Sequence, residues 1–335
     1  MDAARAAQLV GGAWAEPLEG GLLNRVWRVM TEHGAVVVKH APPYVASNPA
    51  IPLDPARIDF EARALSLFQG ELAHLSSERI RPPRLLARFV AESAIALEDL
   101  GDWPSLEDWL LAGGGAWPLA ALGGFIGRLH SASGRSLIAL DNQGVQQTRH
   151  AVQYAPAAGF LAAGGVPDAA ALGARADAFG RSLMRSGRCL VMGDLWPRSV
   201  MVLAGDSAYG GADDGAVRLF DWEFCHWGRP GQDLGHLAAH LWMLGHRRGL
   251  SGDWAVFLAA YAAERALTAE DREESALHFG CEILARTVGA FQAGYLYDGL
   301  PPDAPALREA VSVAAAALRD PLGAPLFTTR SPSCR

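Results

Sequence analysis

Cysteine is scarce in this chain. The 335 residues hold four, Cys189, Cys225, Cys281 and Cys334, and no two form a CxxC pair. A disulfide framework is therefore not expected, and a reducing, cytoplasmic compartment is. Excess positive charge is also missing: the formal net charge is −7, which argues against a nucleic-acid-binding surface. No long apolar run is free of charge. The most apolar long stretch, His278–Tyr297, carries Glu282 and Arg286, so it reads as a buried helix and not as a membrane span. The start, Met1-Asp-Ala-Ala-Arg, lacks the apolar run of a secretory leader. There is no GxxxxGK[ST] phosphate loop, no serine elbow and no repeat at solenoid or propeller spacing. What is present is an ordinary globular balance, with 50% hydrophobic and 19% charged residues. That is enough for a large core or for two lobes flanking a cleft.

The most informative stretch is Val191 to Gly235. Two apolar runs, Ser199–Leu203 and Ala216–Phe220, flank a segment rich in Gly, Asp and Ser, the signature of a hairpin. Asp194 stands just before the first run and Asp221 ends the second. A hairpin brings two such carboxylates to one mouth, where they repel and favour a metal ion or a proton-accepting role. Gly-Asp followed by Ser199, then Asp221-x-Glu223, is the layout of a phosphotransferase catalytic loop and its metal-binding strand end.

The N-terminal hundred residues read as strands with one helix. Gly20 and Gly21 sit between two extended segments and would let backbone N–H groups approach a phosphate, although two glycines in a hairpin are usually just a turn. Ala35–Lys39 is a buried-strand pattern ending in a lysine, one strand after that turn. A proline-rich insertion follows, and Asp54 or Asp59 would cap a helix through Leu67 that carries Glu61. Residues 81–97 form a further strand pair, closed by Glu98-Asp99-Leu100. Beyond this hinge the pattern is mainly helical: Leu119–Ser131, Asp168–Ser186, Leu234–Leu244, Trp254–Arg265, Asp271–Tyr297 and Pro305–Leu318. Residues 134–167 have no clear period and read as loop with a short helix, and the tail from Thr328 as disorder. His236 and His240 share a helix face, but no HExxH glutamate follows and no third ligand is evident, so with His246 they read as packing and surface residues.

Together these residues resemble the methylthioribose kinase branch of the protein-kinase-like small-molecule phosphotransferases, relatives of aminoglycoside and choline kinases. The resemblance rests on Gly20-Gly-Leu-Leu-Asn24-Arg-Val, on Lys39 with its proline segment and charged helix, and on the Glu98-Asp-Leu hinge. It continues through Gly193-Asp-Leu, Asp221-Trp-Glu-Phe and Asp233-Leu-Gly. It implies an α+β, bilobal protein-kinase-like fold, with a small β-rich N-lobe over residues 1–100, a larger helical C-lobe over 101–327 and a disordered tail over 328–335. It further implies ATP and Mg2+ as cofactors and a small-molecule hydroxyl as acceptor, in a monomer or homodimer without nucleic-acid or membrane partners.

By the same resemblance Asp194 is the catalytic base, and Asp221, Glu223 and Ser199 form the metal set. Gly20, Gly21, Asn24, Lys39, Glu61 and the Glu98, Asp99, Leu100 backbone form the ATP site. Trp196 and Arg286 line the acceptor pocket. Two departures stand out: Arg198 replaces a small residue beside Ser199, where a long cation contacts phosphate or blocks it, and Ala285 replaces one of two adjacent arginines of the methylthioribose kinases. The loss of that guanidinium, with the flat face of Trp196 beside Asp194, favours a hydroxylated aromatic or amine-bearing acceptor over methylthioribose. A nucleotide-binding pseudokinase or scaffold is the alternative.

Overall fold

The computed structural model describes residues 1–18, 23–132, 140–204, 215–250 and 253–327. Gly20, Gly21 and the tail 328–335 lie outside the described residues. Helix α1 (Ala3–Leu9) opens the chain, with the Asp2 side chain accepting from the Arg5 N–H at 2.9 Å. Strands β1 (Trp14–Pro17), β2 (Arg25–Thr31) and β3 (Gly34–His40) follow. A short hairpin of β4 (Tyr44–Val45) and β5 (Asn48–Pro52) occupies the proline-rich segment. Then come α2 (Arg57–Gln69), β6 (Ile80–Arg81), β7 (Leu85–Phe89) and β8 (Ala94–Glu98). An antiparallel sheet of order β1-β2-β3-β8-β7 results. Period-two alternation in β2 turns Trp27 and Val29 inward, where they pack with Val38, Ala6 and Ala7. Neither Asp54 nor Asp59 is the N-cap of α2. Ala56 holds that position, Asp54 Oδ1 accepts from the Ala56 N–H at 2.9 Å, and Asp59 lies in the first turn, where its charge suits the helix dipole.

Helices α3 (Leu106–Leu111), α4 (Trp117–Ala132), α5 (Gln143–Arg149), α6 (Ala157–Ala163) and α7 (Ala169–Leu183) come next. Strands β9 (Cys189–Val191), β10 (Val200–Leu203), β11 (Ala216–Leu219) and β12 (His226–Gly228) follow. Helices α8 (Pro230–Arg248), α9 (Trp254–Glu264), α10 (Ala269–Thr287) and α11 (Pro305–Arg319) complete the order. Two spans differ from the sequence expectation. Residues 143–163 are largely helical, because α5 runs into a π turn at His150–Tyr154 and buries Tyr154, Ala157 and Leu161. Helix α10 stops at Thr287, short of Tyr297. The residues beyond it remain apolar, but Gly289 and the left-handed Gly294 (φ +74°) belong to turns, so apolarity alone overstated the helix.

The chain divides into two compact units. Unit 1 comprises Met1–Trp103, Ile138–Val145 and Met201–Cys225, and unit 2 comprises Pro104–Leu137, Gln146–Val200 and His226–Arg335. The sequence suggests a single cut after Leu100. Each unit is instead assembled from several segments of the chain, and the second acidic strand end falls in unit 1. The reason is pairing: β10 and β11 join β6, with β11 parallel to it. Strands concentrate in unit 1 and helices in unit 2. The core of unit 2 is built from α7, α8, α10 and α11, including Leu183, Met243, Ile283 and Leu307. Gly235 allows the closest approach of α8 to α10, since a Cβ there would collide with the Ser275 carbonyl. No described helix is long and apolar enough to cross a membrane.

Candidate active site

In unit 1 the end of β3 delivers Lys39 into the interior. Its ammonium lies 2.7 Å from Glu61 Oε2 on α2 and pairs with Asp221 at the end of β11. Glu61 is fully buried, and its Oε1 accepts from the Trp222 N–H at 3.3 Å. Burial alone would depress the Lys39 pKa, but Asp221, Glu61 and Glu223 outweigh it and raise it, so the ammonium stays charged. Burial conversely pushes Glu61 up from the ordinary carboxylate range. Asp221 has the left-handed backbone φ 72°, ψ 57°, which Asp tolerates better than most residues, and a third of its side chain is exposed.

Glu223, two residues on, sits differently. It is buried, accepts from Asn24 Nδ2 at 2.8 Å and pairs with Arg57 Nε at 3.2 Å. Burial pushes its pKa up to about 7. Arg57 Nε also donates to Asn24 Oδ1 at 3.2 Å, so the three side chains close a ring. Asn142 Nδ2 donates to the Glu223 carbonyl at 2.8 Å and fixes the same turn. Arg57 and Asn142 carry no motif signal, and the sequence reading missed both. At the hinge, the side chains of Glu98 and Asp99 are engaged with Arg81 and Arg84, and with Arg28, respectively.

In unit 2 the turn after β9 carries Asp194. Gly193 adopts φ +83°, a conformation that favours glycine, and the turn aims two successive N–H groups at one carboxylate. Met192 N–H donates to Asp233 Oδ2 at 2.9 Å and Gly193 N–H to Asp233 Oδ1 at 2.7 Å. Asp233 is buried on the first turn of α8 and is itself braced by His130 at 3.1 Å. Arg149 donates to the Gly193 carbonyl and, at 2.9 Å, to Asp194 Oδ1. His236 Nε2 lies 3.3 Å from the same oxygen. Ser199 is buried in the 3-10 turn Pro197–Ser199, and its Oγ has no hydrogen-bond partner among the described residues.

The surroundings of Trp196 correct two expectations. Its ring is not an open face: His240 and Tyr295 pack on it at centroid distances of 5.3 and 6.0 Å, and the guanidiniums of Arg286 and Arg198 lie 5.1 and 5.6 Å from it. Arg198 does not extend freely beside Ser199, because it forks onto Glu107 of α3 at 3.0 and 2.7 Å. Arg286 donates through Nε to Glu282 at 2.7 Å and also lies over Phe291 and Tyr295. The histidines of α8 are likewise more than packing. His236 and His240 are buried, each within 3.5 Å of Glu282, and His236 Nδ1 lies 3.3 Å from His278 Nε2. The sequence reading saw no third partner because His278 and Glu282 lie on α10, far along the chain; their i,i+4 spacing was the available signal.

The profile of the phosphotransferase enzyme family matches residues 14–278. A 4-hydroxytryptamine kinase of Psilocybe cyanescens is 25% identical over 242 residues, 65% of this chain and 64% of that protein, so the chain spans less than two thirds of this relative's length. Two solved structures share the fold. A choline kinase of Streptococcus pneumoniae aligns with 94% of this chain and 96% of its own, at 11% identity and TM-score 0.53. A spectinomycin phosphotransferase, solved with ADP and spectinomycin, aligns with 94% and 98%, at 11% identity and TM-score 0.50. The strand-rich and helix-rich regions are thus those of a kinase-like α+β fold, and the extent of the family match settles the assignment: the chain belongs to the phosphotransferase enzyme family.

Proposed function

We propose that the protein is an ATP- and Mg2+-dependent kinase that transfers the γ-phosphoryl group to a hydroxyl of a small molecule. The observation that carries this reading is the buried Lys39 ammonium held between Glu61 and Asp221. A lysine enclosed this way keeps its charge and its direction, which is what orienting an anionic phosphate requires. Unit 1 would hold the nucleotide, with Lys39 on the phosphates, Glu61 bracing Lys39, and Gly20, Gly21 and the Glu98–Leu100 backbone completing the site. Asn24 and Glu223 serve here to lock the turn through Arg57. Asp221, a partly exposed carboxylate of unit 1, fits the oxygen chemistry of magnesium. When bound, that ion neutralises charge on the transferring phosphates.

Unit 2 would supply the base. Asp194 takes the acceptor's hydroxyl proton on its carboxylate as the oxygen bonds to the γ-phosphorus and the bond to the departing ADP breaks, while Asp233 holds the turn and Arg149 holds the orientation of the carboxylate. For the acceptor we infer a hydroxylated aromatic amine or related small amine. The support is the similarity to 4-hydroxytryptamine kinases and the buried Ala285 where a methylthioribose kinase carries arginine. The crowded ring of Trp196 adds nothing to it. The test is ADP release over a panel of hydroxyindoles, amino alcohols, choline and methylthioribose, with Asp194→Asn as control. Turnover of a hydroxyindole or amino alcohol is expected, with kcat reduced by about 100-fold or more in Asp194→Asn and nucleotide affinity retained. An active Asp194→Asn enzyme overturns the base assignment, and efficient turnover of methylthioribose alone overturns the acceptor class.

A further inference from the structure

Behind Asp194, on the facing sides of α8 and α10, three donor atoms converge in the interior of unit 2. His236 Nδ1 lies 3.3 Å from His278 Nε2 and 3.5 Å from Glu282 Oε2, and a ligand atom from each of the three buried residues lies within 4.8 Å of the others. Zinc bonded to imidazole nitrogen at about 2.0–2.1 Å sets neighbouring tetrahedral ligands about 3.3–3.4 Å apart. The 3.3 Å separation matches that edge and the 3.5 Å one is close to it, with the third side of the triangle within 4.8 Å.

The tautomers of His236 bear on what the cluster can hold. A neutral imidazole carries one N–H. If the His236 proton sits on Nδ1, the Nε2 lone pair faces Asp194 Oδ1 at 3.3 Å. If it sits on Nε2, the Nδ1 lone pair faces Glu282 Oε2 at 3.5 Å. With the proton on Nε2, the Nδ1 lone pair can accept from His278 Nε2–H at 3.3 Å or meet a cation beside Glu282. A cation between Nδ1, His278 Nε2 and Glu282 Oε2 is compatible with that tautomer, whose Nε2 proton faces Asp194. The outer contacts agree. His278 Nδ1–H can donate to the Tyr154 hydroxyl 2.6 Å away, which burial keeps protonated, and Glu282 Oε1 is held by Arg286 Nε at 2.7 Å, leaving Oε2 available.

We propose that His236, His278 and Glu282 form a binding site for a divalent transition cation of the zinc class. Two nitrogens and one carboxylate suit zinc or cobalt and do not suit magnesium, so this site is separate from any magnesium at Asp221. The Arg286 guanidinium offsets the Glu282 charge, so zinc is held more weakly than by an uncompensated set of the same donors. The inference does not depend on the proposed phosphotransfer.

The test uses the tag-free full chain, titrated with ZnCl2 and, separately, CoCl2 in the presence of excess MgCl2. Zinc is counted by elemental analysis after gel filtration, and cobalt is read by its visible absorption. One equivalent is expected in the wild type, with a rise in melting temperature that magnesium does not reproduce. His278→Ala and Glu282→Gln are each expected to lose stoichiometric binding, with circular dichroism reporting whether each is folded. Should neither variant fold, the wild-type cobalt spectrum decides, since nitrogen and oxygen ligation absorbs differently from thiolate ligation. No stoichiometric binding by the wild type, a thiolate spectrum, or full binding by a folded variant overturns the proposal.

Discussion

Replacing Lys39 with methionine tests the central ion pair, because stability and ligand binding should then separate. Lys39 and Glu61 are 6% and 0% exposed, and their charged atoms are 2.7 Å apart. The methionine side chain would roughly fill the volume and leave Glu61 with only the Trp222 N–H at 3.3 Å. Removing one partner of a buried pair costs about 3–5 kcal/mol, whereas removing both and keeping the volume is often neutral. Asp221 is a third exposed, so water screens its share of the loss. Lys39→Met should therefore be about 3–5 kcal/mol less stable than wild type at neutral pH. Lys39→Met with Glu61→Gln should recover most of that loss, which amounts to a coupling of about 2–4 kcal/mol. Denaturant unfolding of the four proteins of the cycle measures it, and the single variant should melt on the order of 10 °C lower than wild type. Nucleotide binding should behave otherwise, lost in the single and the double variant alike, because neither has the ammonium. Equal stability of the single and double variants would refute the buried-pair argument. Recovered nucleotide affinity in the double variant would refute the role of Lys39 on phosphate.

Two further outcomes follow from the same structure. Asp221→Asn, chosen over alanine because asparagine tolerates the left-handed backbone, should abolish the difference between ATP and Mg·ATP in thermal shift while leaving metal-free nucleotide binding measurable. Asp271 is fully buried, and although burial pushes its carboxyl up, hydrogen bonds from Arg265 and Arg188 bring it down to about 2. A depressed carboxyl contributes stability above its unfolded pKa and loses it as pH falls through the folded one. Asp271→Asn should thus cost about 2 kcal/mol near neutral pH in denaturant unfolding, with the deficit shrinking as pH drops from about 4 to about 2.

What the sequence revealed of this site, and what it hid, follows from how local each signal is. Lys39, Glu61, Asp194 and Asp221 were legible because strand ends, glycine turns and short acidic spacings are written over a few neighbouring residues. The buried partners were not. Arg57 is an unremarked first-turn helix residue until the fold sets it against Asn24 and Glu223. Arg149 ends a segment without hydrophobic period, yet it reaches both Gly193 and Asp194. Such residues act by closing contacts across long separations, and no local pattern marks them. The same limit applies to Trp196. A planar side chain two residues past a carboxylate looks available in sequence, but availability depends on what the rest of the chain lays over it, here Arg198 and Arg286. The histidines show the reverse case. Judged on α8 alone, His236 and His240 lacked a partner and looked inert. Glu282 and His278 carry the matching spacing on α10, and Gly235 lets the two helices close. Pairing i,i+4 donor sets between separate helices, before dismissing either, would have brought this cluster into view from sequence.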